Sequence, residues 1–77
     1  MGTEIRLQPN PACGRVEVLC GCRMSLLEVV DPQGRRVLTQ PADDTTVMMD
    51  ISNLPTGLYT VKAHTVCGTS ASRLMVK

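Results

Sequence analysis

Phenylalanine and tryptophan are absent from this chain, and Tyr59 is its only aromatic residue. A core therefore has to be assembled from Val, Leu, Met, Ile and that one tyrosine. The same scarcity removes the stacking platform with which single-strand nucleic-acid binders hold bases. An excess of either charge is lacking too. The net charge is +1, which gives no steering field for DNA, RNA or an anionic membrane, so no nucleic-acid partner is expected. No apolar run approaches the ~18 residues that a membrane span requires, and no membrane insertion is expected. Met1-Gly2-Thr3-Glu4 has neither the basic start nor the apolar stretch of a signal peptide. It reads as a cloning start before an excised domain.

What is present suffices for one small domain. Seventy-seven residues hide only about 60 % of the surface that the unfolded chain exposes. Apolar residues make up 43 % of the chain and charged residues 19 %, enough for a core and too little charge for disorder. The expected domain spans residues 4–77, with residues 1–3 outside it.

The periodicity is two. Val16, Val18 and Cys20 alternate with Glu17 and Leu19, Leu27 and Val29 with Glu28 and Val30, and Val47, Met49 and Ile51 with Met48 and Asp50. Residues 58–61 and 74–76 repeat the pattern. Alternation of this kind puts one face on a core and the other in water. No segment of helical length escapes Gly, Pro or β-branched residues.

Turn chemistry separates these runs. Asp31-Pro32-Gln33-Gly34 has the Asp, Pro and Gly placement that a type I turn prefers, and Leu54-Pro55-Thr56-Gly57 shares its Pro and Gly. Cys67-Gly68 marks another reversal, and Gln40-Pro41-Ala42-Asp43-Asp44 reads as a polar loop. Strands are expected near residues 4–7, 15–20, 24–30, 35–39, 46–51, 57–64 and 70–76. The predicted fold is all-β, a small two-sheet sandwich of about seven antiparallel strands.

Four blocks then carry a resemblance. Leu7-Gln8-Pro9-Asn10-Pro11 with Gly14-Arg15-Val16-Glu17-Val18 resembles the opening of type IX secretion (Por secretion system) C-terminal sorting domains. Residues 27–37, with Asp31, Gly34 and Arg35, are similar to their central hairpin. Residues 51–59 look like their Leu-Pro-x-Gly-x-Tyr block, and residues 73–77 like their closing strand. The blocks keep the family's order over nearly the whole chain.

The resemblance implies an immunoglobulin-like β-sandwich with a transport role in Bacteroidetes-type bacteria. An N-terminal cargo domain in the parent chain would reach the periplasm by a signal peptide. The folded sorting domain would then engage the outer-membrane type IX translocon. A sortase-like peptidase would remove it, and the cargo would end at the cell surface or be secreted. The recognition residues implied are Leu54, Pro55, Gly57, Tyr59, Leu74, Val76 and Lys77.

Each motif also has a plain folding role. Pro9 and Pro11 bias Gln8 and Asn10 toward extended or polyproline backbone and offer no N–H for edge pairing. Gly57 is costly to replace if its loop needs positive φ. Tyr59 is expected to bury its ring and to give its hydroxyl a backbone partner, as in a tyrosine corner. Lys77 is either a solvated tail or the end of an edge strand presented for β-augmentation.

Cys13, Cys20, Cys22 and Cys67 are many thiols for so short a chain, and a periplasmic route permits disulfides. Along one extended strand Cys13 and Cys20 lie roughly 20 Å apart, beyond the ~7 Å Cα limit of a bridge. Cys20–Cys22 would close a strained three-residue loop. Cys13–Cys67 requires distant ends of the sequence to meet, as a sandwich allows. Cys67 with Cys20 or with Cys22 is equally open and leaves two thiols over. Zinc is the weaker use, since one C-x-C, two remote cysteines and His64 do not have the C-x₂₋₄-C spacing of structural sites.

No catalytic residue and no cofactor is expected. No signature surrounds a Cys–His pair and no orienting third group can be named, while Asp31, Asp43 and Asp44 have no calcium-loop spacing. The alternative to sorting is an immunoglobulin-like or fibronectin-like adhesion or carbohydrate-binding module of a secreted protein, and a structural stalk is a third reading. Sugar platforms generally need exposed aromatic rings, and Tyr59 is expected to be buried.

Overall fold

A computed structural model describes residues 4–77; the expectation about residues 1–3 lies outside them. The described chain is all-β. Its strands are β1 (Ile5–Cys13), β2 (Arg15–Val30), β3 (Arg36–Asp50), β4 (Gly57–Thr65) and β5 (Gly68–Val76).

Five long strands therefore replace the seven short ones expected. Residues 15–20 and 24–30 are two halves of β2, and residues 35–39 and 46–51 fall on two halves of β3. The cause lies in the middle of each strand. Cys20-Gly21-Cys22 does not reverse the chain; the pairing of β2 with β3 shifts register between Leu19 and Met24 and again before Leu26. Such irregularities bend a strand without ending it. They also move the buried positions of β2 from even numbers (Val16, Val18, Cys20, Met24) to odd ones (Leu27, Val29), the change of face that a one-residue slip produces.

The stretch Gln40-Pro41-Ala42-Asp43-Asp44 is likewise strand, with Pro41 opposite Leu26 and Asp44 opposite Met24. Its polarity belongs to an outermost strand. Among the described residues β3 pairs only with β2, and an edge tolerates a proline that lacks an N–H.

Bending lets β2 serve two neighbourhoods. Its first half pairs with β1 and the end of β3, its second half with β4 and the start of β3. The strand order is β1-β5-β4-β2-β3, and β1 also pairs with β2. Strands β1, β5, β4 and β2 thus close a ring. The pairing is antiparallel apart from the parallel contact of β1 with β5.

Inside lie Ile5, Val16, Val18, Met24, Leu27, Val29, Met49, Ile51, Tyr59, Val61, Leu74 and Val76, with Ala12, Cys20 and Ala63 in the narrow places. This is the core of Val, Leu, Met and Ile around one tyrosine that the composition requires. No buried polar or charged residue interrupts it among the described residues.

The β2–β3 hairpin forms as its sequence predicts. Gly34 N donates to Asp31 O (2.9 Å), and Asp31 N to Arg35 O (2.8 Å). Gly34 has φ +86°, a conformation that side chains disfavour. The Asp31 carboxylate accepts from the backbone N–H groups of Gln33 (3.0 Å) and Arg35 (2.8 Å). Those bonds, that of Arg35 first, hold its pKa below the usual range.

Of the open cysteine pairings, the fold selects Cys22–Cys67, with Cα atoms 6.1 Å apart. Cys22 lies at the bend of β2 and Cys67 in the turn between β4 and β5, where Val66 N donates to Arg23 O (3.1 Å). Cys13 is exposed outside the bridge, and Cys20 is buried, its Sγ accepting from Cys22 N (3.4 Å). No group of three His, Cys, Asp or Glu side chains suited to a metal occurs among the described residues.

The bridge spans 45 residues of sequence, and closing loops of that length contributes about 2–4 kcal/mol. In so small a domain Cys67→Ser should lower Tm by about 10–20 °C. Calorimetry under non-reducing conditions checks this, with reduced wild type expected to melt near the variant.

Candidate recognition surface

The Pro9-Asn10-Pro11 segment is where β1 changes partners. Ile5 to Gln8 pair with β2, and the register is then lost until Cys13 meets Arg15. Both X–Pro bonds, Gln8-Pro9 and Asn10-Pro11, are cis. Neither proline has an N–H to give, so the Asn10 side chain makes the bonds to β5. Its Nδ2 donates to Arg73 O (3.0 Å) and its Oδ1 accepts from Met75 N (3.1 Å). Backbone pairing resumes at Ala12, which faces Val76 and accepts from Lys77 N (2.8 Å).

The end of β5 is consequently no open edge. Val76 has Gly57 on one side and Ala12 on the other, so the end of the last strand is paired on both sides, against the reading of it as an edge presented for β-augmentation. The outermost strand of the sheet is β3.

The Leu-Pro-x-Gly-x-Tyr block is fastened in two steps. Asp50 accepts from the backbone N (2.9 Å) and the hydroxyl (2.7 Å) of Ser52, which keeps its carboxyl below the usual range. Leu54 N donates to Ile51 O (3.0 Å), so the hydrogen-bonded turn is residues 51–54, three residues earlier than the Pro-x-Gly pattern suggests. The tyrosine prediction holds. Tyr59 is 8 % exposed, and its hydroxyl donates to Pro55 O (2.6 Å). Gly57 has φ +157°, at the border of extended backbone, and a Cβ there would stand 3.9 Å from the Tyr59 ring.

The residues implied for recognition fall into two kinds. Tyr59, Leu74 and Val76 point into the core. Pro55 and Lys77 are exposed, and Leu54 and Gly57 are half-buried. The register Gly57–Val76, Leu58–Met75 and Tyr59–Leu74 brings most of them together. Asp31 and Gly34 belong to the separate β2–β3 hairpin, whose Pro32 shares a groove with Leu58, Tyr59, Thr60 and Arg73.

One cluster escaped the sequence reading. On the outer face, Glu28 accepts from Arg36 Nη1 (2.7 Å) and lies 2.7 Å from His64 Nε2. The bond from Arg36, then that with His64, lowers the Glu28 pKa. Alternation alone places Glu28 outward between Leu27 and Val29. Its meeting with His64, 36 residues away, requires the β2–β4 register.

The family model described as secretion system C-terminal sorting domain matches residues 6–77. No curated protein matches the chain.

A carboxylate whose folded pKa is depressed stabilises the fold above its ordinary pKa, about 4.3 for glutamate, and loses that contribution as pH falls through the folded value. Glu28→Gln should therefore lower Tm at neutral pH, and the gap to wild type should close in acid below about pH 4. Thermal melts across that range check it. Asp31 and Asp50 titrate in both proteins and cancel in the difference.

Proposed function

The chain belongs to the family of secretion system C-terminal sorting domains, the sorting signals of type IX secretion, and we propose that it serves its cargo as a folded shape without catalysis of its own. The family role is to send cargo to the cell surface or into the medium. The periplasm is the place where the domain folds, with its Cys22–Cys67 bridge suited to an oxidising compartment. The outer-membrane translocon reads the surface around residues 54–59 and β5, to which Leu54, Pro55, Gly57 and Lys77 contribute directly and Tyr59, Leu74 and Val76 contribute by holding its shape from the core. A sortase-like peptidase then separates domain and cargo.

The observation that carries this reading is the burial of three of those seven side chains in the core. A machine that used Tyr59, Leu74 and Val76 directly would have to unfold the domain. One that reads their surroundings requires them folded. The buried Tyr59 also leaves no aromatic ring to form a sugar platform, which weakens the carbohydrate-binding alternative.

A fluorescent reporter fused to residues 4–77 should reach the surface in a host with the type IX machinery and remain inside the outer membrane without it. Deleting residues 74–77 removes Val76 and Leu74 from the core and should abolish delivery. Normal surface delivery of the truncated fusion would sink the proposal.

A further inference from the structure

The outer face of β4 and β5 carries charge that the rest of the molecule leaves uncompensated. Register places Arg73 beside Thr60, Lys62 beside Ala71, and Leu58 beside Met75, while Glu28 lies opposite Lys62 from β2. Glu28 is the carboxylate of this face, and it is engaged by Arg36 and His64. The neighbouring Asp31 is held by Arg35 and its own turn. Arg73 and Lys62 have no carboxylate within ion-pair distance among the described residues.

Arg73 also stands at the rim of a depression. Pro32, Leu58, Tyr59, Thr60 and Arg73 line a groove of about 330 Å³, and Leu58 is 46 % exposed there. This volume is at the small end for ligand sites. The groove would take one or two side chains, not a folded domain.

We infer that this groove is a docking site for an extended protein segment carrying an acidic side chain next to an apolar one. The apolar side chain covers Leu58 against Pro32, and the carboxylate pairs with Arg73, whose fork of donors suits a planar anion. Lys62 strengthens the preference for negative charge from farther along the face. Charge complementarity selects this occupant. Two uncompensated cations are few for a polyanion, whose affinity grows with every charge neutralised. The inference goes beyond the export reading, and its test uses no secretion apparatus, so the two can fail separately.

The test is a titration of the ¹⁵N-labelled 77-residue chain, followed by amide shifts, with two hexapeptides. One alternates leucine and glutamate, the other leucine and lysine. The glutamate peptide should shift the Leu58, Thr60 and Arg73 amides saturably, and the lysine peptide should not. Arg73→Glu should weaken the glutamate peptide about fivefold and admit the lysine peptide, while Lys62→Gln weakens the first only slightly. Raising salt to about 1 M should reduce the charge preference.

The proposal is overturned by the absence of saturable shifts, by equal response to both peptides, or by an Arg73→Glu variant that binds as wild type does. It is also overturned if anionic phosphatidylglycerol vesicles, or a second copy of the chain, move these amides when the glutamate peptide does not.

Discussion

The carboxamide of Asn10 holds the place of a peptide group that two prolines cannot supply. Pro9 and Pro11 take donors out of β1 just where it leaves β2. The bond from Asn10 to Arg73 O and the bond from Met75 N to Asn10 carry the pairing across to β5. Ala12 then pairs with Val76. Without this junction, the Asn10 bonds together with the Ala12–Val76 pair, the ring of strands β1, β5, β4 and β2 has no closure between β1 and β5, and the end of the last strand would have one neighbour instead of two. Buried Leu74 and Val76 depend on it directly, and Tyr59, opposite Leu74, depends on it at one remove.

Closure explains why a chain so poor in aromatic residues can hold a core. Small aliphatic side chains bury little area each, and a domain of this size starts with a poor ratio of surface to volume. The ring encloses them, the Cys22–Cys67 bridge pins the bend of β2 to the β4–β5 turn, and the Tyr59 hydroxyl fixes the connection from β3 at Pro55. Polar groups that could not be buried lie outside and are paired there, as Glu28 is with Arg36 and His64. The fold and its transport role meet in this construction, since a sorting signal read as a shape needs a last strand that stays in place.

Features set by a few neighbouring residues were readable from the sequence, apart from the turn before Gly57, which closes at residues 51–54. Asp31-Pro32-Gln33-Gly34 specifies its own turn, because the Asp carboxylate and the Gly φ act within four residues. Tyr59, the sole aromatic, had one sensible place to go. Features set by register were not readable. The even-to-odd switch between Met24 and Leu27 looked like two strands, because alternation does not distinguish a bulge from a break. Polar residues 40–44 looked like a loop, because the exposed side of an edge strand has the same composition. The partner of Cys67 and the meeting of Glu28 with His64 required a folded chain. For the recognition surface, the blocks and their order were legible, and the alternation at residues 74–76 implies one buried face, but that Leu74 and Val76 form it follows from the pairing of Leu74 with buried Tyr59.

Native-state hydrogen exchange on an Asn10→Ala variant tests the closure most directly. If the carboxamide is the junction, the Met75 amide, which loses its acceptor, and the Lys77 amide beside it should exchange about fivefold faster. Val61 and Ala63, deep in the β2–β4 pairing, should keep wild-type rates. Unchanged protection at Met75 would contradict the junction, and so would a uniform loss over the whole sheet.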